Sequence, residues 1–355
     1  MKQKIKKIFT KRPKKAKNPE RSLEQAIRGI PRITNETVAE HREEVLSAAR
    51  KYIYPLQHSA HRVVVISSTI TIAAVVAFFT YCLLSLYRFQ STSTFIYRVT
   101  QVIPFPVAKA GSSYVSYESY LFELRHYIHY YQTQQKVDFN SESGQRQLKE
   151  FRQRALNGVI DDAYVKRLAK QHKVSVSNQE VNDQVAFIQA QNRLNDNPKV
   201  FSDVLKEFWG WSIDDFKREL KQQMLAQKVV SELDTDTHNR ANNVLAQLKQ
   251  GGDFAKLAGD NSDDKATAVN GGDYGMVITK TNRDLPAAVV NQLFKMKPGE
   301  VSGVINAGSS LEIIQLTDSN GTEAHARHIG FAFKGLDQYV KPLEKKDSPQ
   351  KFIAP

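Results

Sequence analysis

Residues 251–277 read GGDFAKLAGDNSDDKATAVNGGDYGMV and decide the fold of the C-terminal half, together with 284–305 (DLPAAVVNQLFKMKPGEVSGVI) and 309–316 (SSLEIIQL). The glycine pair before Asp253 favours a helix start, and Asn270-Gly271-Gly272 favours a loop with permissive backbone. Residues 285–296 have apolar side chains at helical spacing, followed by Pro298 and Gly299 as stop signals. Residues 311–316 predict a short strand. The pattern therefore predicts a small mixed domain.

In this order and spacing, the motifs GGDFAKLA, SDD…NGGDYG, LPAAVVNQLFKMKPGEVSG and LEIIQL resemble the parvulin family of peptidyl-prolyl isomerases. The resemblance implies an α/β domain with a small antiparallel sheet and peptidyl-prolyl cis-trans isomerase activity. The sequence has no Gly-rich phosphate loop in a strand-to-helix context and no Cys/His set with zinc spacing, so we expect no cofactor and no metal.

The resemblance also implies site residues. Asp264 is the predicted acid after Ser-Asp, with Asp263 as the alternative. The family's second histidine position is occupied by Glu312, which makes efficient catalysis uncertain. The pocket for the proline ring is predicted at Leu285, Val289 and Phe294, and it would be shallow because only Phe294 is aromatic. The competing interpretation is that these three side chains are ordinary core.

The family's first histidine normally lies on a strand before the first helix, but residues 231–240 have no strand character. A strand-like segment, EAHARHIGF, instead follows at 323–331, after a strong hairpin signal at 318–321. We therefore expect a circularly permuted parvulin unit, in which 311–316 and 325–333 pair as a hairpin and His328 takes the first-strand position. The alternative is that residues 324–355 begin a second parvulin repeat.

Residues 95–234 precede this unit and are mostly helical in pattern. Residues 95–107 are strand-like, and Pro104 and Pro106 limit them to a sheet edge. Capping boxes at 177–180 and 212–215 predict the starts of two helices. The run over 114–230 resembles the helical N-terminal domain of SurA and PrsA-type export chaperones, which implies an apolar groove for unfolded chains. A tyrosine stripe at 117–131 and an aromatic cluster at 201–216 could line that groove or pack into the core.

The 25 residues 63–87 contain no charged side chain, enough for a helix that spans the hydrocarbon core of a membrane. Residues 1–62 carry 16 Lys/Arg and 6 Asp/Glu, so most of the net charge of +13 lies in this tail. Its lysine cluster predicts a cytoplasmic N-terminus, with the C-terminal domains outside the cytoplasm. Anionic lipid could bind the tail; we expect no nucleic-acid partner. Cys82 is the one cysteine, which excludes a disulfide within the chain.

The sequence thus predicts an α+β protein: a basic tail with an amphipathic helix (1–62), a transmembrane helix (63–87), an all-α chaperone domain (95–234), a parvulin-like domain (235–333) and a flexible tail (334–355). The predicted function is a membrane-anchored extracytoplasmic foldase that acts on unfolded or newly exported polypeptides. The predicted alternative is a non-catalytic holdase whose degenerate parvulin domain serves as a binding module.

Overall fold

The computed structural model describes residues 33–53, 56–191 and 198–354. It divides into two units, 1–81 and 82–355, which are described separately. The first contains helix α1 (Asn35–Ile53) and most of helix α2 (Leu56–Leu83). The lysine-rich segment at residues 1–20 lies outside the described residues.

Among the described residues, one helix is long and apolar enough to cross a membrane. It covers residues 62–88, including a π-helical end at Leu84–Arg88, and has a mean hydropathy of 2.3. All side chains from 62 to 81 are exposed. Length and composition alone make it a candidate span, since a signal sequence would meet the same criteria.

The helical domain forms the first part of the second unit. Its elements are α3 (Thr94–Val102), β1 (Pro106–Ala110), β2 (Ser113–Ser116), α4 (Tyr117–Thr133), α5 (Glu142–Gln171), α6 (Asn178–Gln191), α7 (Pro198–Trp209) and α8 (Ile213–Leu233). Helices α4 and α8 pack on α5. Tyr117 and Tyr120 have no exposed surface, so the beginning of the tyrosine stripe is core. The aromatic cluster is divided: Phe201 packs on Phe216, while Phe208 and Trp209 remain exposed.

Local capping decides where several of these helices begin. Both predicted capping boxes are confirmed: Ser177 with Glu180 and Ser212 with Asp215 exchange side-chain and backbone hydrogen bonds. The predicted strand at 95–107 is wrong over its first part, which is helix α3. The Ser93 hydroxyl accepts from the Ile96 N–H at the start of α3. Burial of Ile96 and Thr100, four residues apart, then favours a helix over an alternating strand.

The second domain contains α9 (Thr235–Lys249), α10 (Phe254–Asn261), α11 (Lys265–Ala268), β3 (Ile278–Thr279), α12 (Ala287–Leu293), β4 (Ile305–Asn306), β5 (Ser310–Ser319) and β6 (Glu323–Ala332). Its sheet has the order β3-β6-β5-β4, with antiparallel pairing throughout. Side chains from α9 and α10 bury one face with Ile313 and Ile329, and those from α12 bury the other with Ile314 and Leu316. The alternation of side chains along β5 and β6 therefore sets which residues face α12.

The predicted hairpin is confirmed, because β5 and β6 pair along most of their length, with Ile314 opposite His328. Strand β6 also pairs with β3, so it completes the sheet of the domain that precedes it. A second parvulin repeat does not begin here, since the chain after β6 returns to the helical domain.

The prediction of a flexible tail at 334–355 is wrong. This segment forms helix α13 (Asp337–Lys346) and strand β7 (Gln350–Lys351), which pairs with β1. Val340 and Ile353 are buried in the core of the helical domain. The Tyr164 hydroxyl donates to the Asp347 carbonyl and Arg167 pairs with its carboxylate. The partly buried Leu336, Tyr339 and Leu343 pack against the same core, so an apolar stripe along α13 and the buried Ile353 dock the segment.

Candidate active site

The backbone around Gly272 brings the NGGDYG loop against strand β6. The His328 N–H donates to the Gly272 carbonyl at 2.8 Å, and the Tyr274 N–H donates to the Ala326 carbonyl at 3.2 Å. Gly272 has φ +81, and a Cβ there would lie 2.2 Å from the His328 carbonyl oxygen. Only glycine allows this approach without displacement.

The loop 262–264 is hydrogen-bonded to the same strand, β6, at Gly330, which is two residues after His328. The Asp263 N–H donates to the Gly330 carbonyl at 2.8 Å, and the Ser262 hydroxyl accepts from the Gly330 N–H at 3.1 Å. His328 and Gly330 share a sheet face, because they are two positions apart on a strand. The side chain of Asp264, at the N-terminus of α11, is thereby held beside His328.

The structure brings Asp264, His328 and Glu312 into one cluster. Nε2 of His328 lies 3.1 Å from Oδ2 of Asp264, and Nδ1 lies 3.3 Å from Oε2 of Glu312. Glu312 is the cross-strand partner of Gly330, which places it diagonal to His328 on the same face. The long carboxylate side chain spans that diagonal.

Asp263, the alternative acid, lies apart from this cluster. Its carboxylate pairs with Arg240, with oxygen–nitrogen distances of 2.8 and 3.1 Å, and it accepts the Ala332 N–H. Burial alone would raise the pKa of Asp263, but these hydrogen bonds and Arg240 hold it below its usual value. Asp263 thus fastens α9 to β6.

Two further members of the cluster were missed by the sequence interpretation. Thr267 Oγ1 lies 2.9 Å from Nε2 of His328, and its hydroxyl also donates to Oδ2 of Asp264 at 2.9 Å. Tyr274 stacks on the His328 ring, with centroids 4.2 Å apart and an interplanar angle of 16°, and its hydroxyl donates to Oε2 of Glu312 at 2.8 Å. Tyr274 belongs to the NGGDYG motif, which was its only signal in the sequence.

Electrostatics favour an ionised Asp264. Burial by itself would raise the pKa of Asp264, but hydrogen bonds from the Thr267 hydroxyl and the Ala266 N–H, together with His328, hold the pKa below its usual value. For Tyr274, burial and then the neighbouring Glu312 raise the pKa above its usual range, so its hydroxyl keeps its proton.

Exposure differs sharply among the three predicted polar residues. The side chain of Asp264 is 38% exposed, whereas those of His328 and Glu312 are 7% and 11% exposed. Asp264 is therefore the most accessible of the three, and the other two lie on its buried side. Over the described residues, no group of three or more His, Cys, Asp or Glu side chains could hold a metal ion.

The predicted pocket residues lie on the same sheet face but in its core. Leu285, Val289 and Phe294 belong to one apolar cluster with Tyr274. Val289 has no exposed surface, so it is core in this structure and its contact with a bound proline ring stays a prediction. Leu285 is also buried, although its edge lines a neighbouring cavity. Phe294 is half-buried, with Nζ of Lys280 5.6 Å from its ring centre. The core interpretation therefore holds for Val289, because residues on the inner stripe of α12 face the sheet.

Models of two known families match successive parts of the chain. A family model for the PPIC-type PPIase domain, named Rotamase, matches residues 223–318, and one for the SurA-like N-terminal domain matches residues 56–230. The PPIase match contains Asp264 and Glu312 and ends before β6. His328 therefore lies outside the matched segment, and the pairing of β6 with β5 brings it to Asp264 and Glu312.

Curated relatives cover parts of the chain. Chaperone SurA of Thiobacillus denitrificans is 39% identical over 97 residues, which are 25% of this chain and 21% of that protein. Chaperone SurA of Legionella pneumophila (strain Lens) is 24% identical over 231 residues, 50% of this chain and 52% of that protein. A parvulin-like PPIase of Rickettsia bellii is 30% identical over 117 residues, 31% of this chain and 41% of that protein.

The chain spans about half or less of the length of these relatives. Among solved structures, foldase protein PrsA from Streptococcus pneumoniae matches 58% of this chain and 80% of that one at 20% identity, with a TM-score of 0.18, a value too low to support an argument. The two family matches support the same assignment: residues 56–230 are similar to a SurA-like N-terminal domain, and residues 223–318 are similar to a PPIC-type PPIase domain.

Proposed function

We propose that this protein is a membrane-anchored extracytoplasmic foldase, with both peptidyl-prolyl isomerase and chaperone activity toward exported proteins. The observation that carries the proposal is the Asp264–His328–Glu312 cluster, which lies in a PPIC-type domain joined directly to a SurA-like domain. Unfolded or newly exported polypeptides are its partners.

Prolyl isomerisation requires rotation about an amide bond against a barrier of about 18–20 kcal/mol. The uncatalysed step takes tens to hundreds of seconds. A catalyst must bind the twisted amide more tightly than either planar form. Fixed polar groups can do so, because the carbonyl and nitrogen lose their conjugation as the bond turns.

Asp264 is the group that meets the substrate in this proposal. Its carboxylate is ionised, partly exposed and fixed by hydrogen bonds with Thr267 and with the Ala266 N–H. His328 and Glu312 set the position and charge of Asp264 from the buried side. Phe294, half-buried on the same face, supplies apolar surface for the proline ring.

The placement of β6 supports a circularly permuted parvulin unit. The family match stops at residue 318, and the next strand, β6, pairs beside β5 and carries His328 to Asp264. We infer that β6 occupies the position of the family's first strand, with His328 as its histidine.

A cavity beside the PPIase domain supports client binding. It has a volume of about 650 Å³ and lies between α6 and α8 on one side and the start of α12 on the other. Its walls combine apolar side chains with amides, which suits an extended polypeptide that presents both apolar side chains and backbone hydrogen-bonding groups. Its apolar and amide lining includes Phe187, Ile188, Met224, Leu285, Gln223 and Gln227.

Membrane anchoring rests on residues 62–88. Their apolar side chains are exposed from 62 to 81, and such a surface is stable in lipid but costs about 25 cal/mol per Å² in water. The lysines of the N-terminal tail favour a cytoplasmic N-terminus, which directs the two folded domains out of the cytoplasm.

A second candidate function is a non-catalytic holdase that uses the parvulin domain as a binding module. The burial of Val289 and the low exposure of His328 and Glu312 favour it, because they leave a small reactive surface.

A refolding assay separates the two functions. The full chain in detergent micelles is added to a proline-limited refolding protein and, separately, to an aggregating one. We expect faster refolding and less aggregation. Suppressed aggregation without faster refolding would establish the holdase and exclude the isomerase.

A further inference from the structure

Tyr274 connects the two buried members of the cluster. Its ring lies on the ring of His328, and its hydroxyl donates to Oε2 of Glu312 at 2.8 Å. Its backbone is fixed by the hydrogen bond to Ala326, between glycines with positive φ at Gly272 and Gly275. The loop backbone therefore fixes where the Tyr274 ring and hydroxyl lie relative to His328 and Glu312.

The hydrogen bonds around His328 place a proton on Nε2. The Thr267 hydroxyl donates its single proton to Oδ2 of Asp264, so its oxygen is an acceptor toward His328. Oδ2 of Asp264, ionised as argued above, is also an acceptor. Both neighbours of Nε2 therefore require a donor there.

The other ring nitrogen has a different environment. Nδ1 is buried, and among the described residues it has no hydrogen-bond partner, although Oε2 of Glu312 is only 3.3 Å away. Oε2 is close enough to Nδ1 for a hydrogen bond, but the two atoms are not aligned for one. Oε2 instead lies 2.8 Å from the Tyr274 hydroxyl, which stays protonated because burial and Glu312 raise the pKa of Tyr274.

We infer that Tyr274 is a positioning residue whose hydroxyl holds the Glu312 carboxylate out of line with Nδ1 of His328, so that His328 carries its proton on Nε2 alone. His328 then donates from Nε2 to Oδ2 of Asp264. The carboxylate of Asp264 keeps its full charge toward a bound peptide. A catalytic role for Tyr274 rests on the proposed isomerase function, whereas the position of the proton on His328 does not.

Tyr274→Phe removes the hydroxyl and keeps the stacked ring. We expect the Glu312 carboxylate to turn toward Nδ1, where its negative charge favours the uptake of a proton from solvent by Nδ1. The measurement is the nitrogen spectrum of ¹⁵N-histidine in the full chain in micelles at pH 7, with His328 assigned from its absence in His328→Gln. In the wild type, Nδ1 should resonate as an unprotonated nitrogen, and in Tyr274→Phe as a protonated one.

Two further variants complete the test. In Tyr274→Phe/Glu312→Gln no carboxylate is left to favour a proton on Nδ1, so Nδ1 should return to its unprotonated resonance. Tyr114→Phe, at an exposed tyrosine on β2, should leave the His328 signals unchanged. Unchanged Nδ1 in Tyr274→Phe, or a protonated Nδ1 in the wild type, would overturn the inference.

Kinetics test the catalytic part. We expect Tyr274→Phe to lower kcat about tenfold with little change in KM, since the hydroxyl does not reach the substrate. A moved Nδ1 resonance with unchanged kcat would reject Tyr274 as a positioning residue for catalysis. If the wild type itself does not accelerate refolding, the isomerase proposal fails, and the nitrogen spectra still decide the proton arrangement.

Discussion

Nε2 of His328 lies 3.1 Å from Oδ2 of Asp264, although 64 residues separate them in the chain. Backbone hydrogen bonds between Asp263 and Gly330, and between Gly272 and His328, hold the two segments together. Because these bonds do not involve the side chains of Asp264 and His328, either side chain can be replaced without removing them.

The effect of replacing either side chain should therefore reflect its role in catalysis and not the loss of these backbone contacts. We expect Asp264→Asn and His328→Ala each to lower kcat/KM for proline-limited refolding by at least about tenfold. His325→Ala, at an exposed position on the same strand, is the matched control and should retain activity. Equal activity in all three variants would show that the cluster takes no part in catalysis.

The close approach at Gly272 predicts a local stability effect. Gly272→Ala should destabilise the β6 contact by roughly 1–3 kcal/mol, since it adds a steric clash to a strained positive φ. Gly275 also has a positive φ, but a Cβ there would meet nothing within 4 Å. Hydrogen exchange of the β6 amides should therefore speed up more in Gly272→Ala than in Gly275→Ala. Equal effects would mean that the contact with the His328 carbonyl contributes nothing.

The docked C-terminal segment predicts a second stability difference. Ile353 is 6% exposed and its neighbour Phe352 is 40% exposed. Ile353→Ala should lower the free energy of unfolding of the helical domain by roughly 2–5 kcal/mol, because it leaves a cavity in the core. Phe352→Ala should cost much less. Urea unfolding followed by the fluorescence of Trp209 and Trp211 measures both, and a larger loss in Phe352→Ala would contradict the observed docking.

The helical domain should lose stability as pH rises above about 4.5. Burial, then the neighbours Glu219 and Asp162, raise the pKa of Glu123 to about 8. Between the unfolded value near 4.5 and about 8, the folded state holds a proton that the unfolded state releases. The free energy of unfolding therefore falls with pH across this window and levels off above it.

Glu123→Gln should weaken this pH dependence, since a neutral amide carries no proton to lose. Asp161 and Asp162, whose pKa values burial raises to about 6, should maintain the rest of it. Glu150→Gln, at an exposed position on α5, should not change it. Urea midpoints from pH 4.5 to 8.5 compare the three proteins. A wild-type stability that rises across the window would reject the assignment to Glu123.

The proposed topology predicts which side of the membrane each unit faces. In a Cys82→Ser background, Ser112→Cys should react with a membrane-impermeant maleimide added outside cells from which any outer barrier has been removed. Ser47→Cys, equally exposed on α1, should react only after the membrane is permeabilised. Labelling of Ser47→Cys in sealed cells would reverse the orientation.

The sequence by itself determined the two kinds of domain, the candidate membrane helix, the capped helix starts and the β5–β6 hairpin. Each depends on neighbours within a few residues or on motif order, so a local pattern contains it. Glu312, Asp264 and His328 were also identified from motifs, but their meeting depends on strand pairing.

Only the tertiary structure decided the rest. It placed Thr267 and Tyr274 in the cluster, moved Val289 into the core, made α3 a helix and docked residues 337–353 onto the helical domain. The physical reason is common to all four. Each depends on burial or hydrogen bonding between distant segments, and an apolar spacing such as that of Leu336, Val340 and Leu343 does not say which segment it packs against.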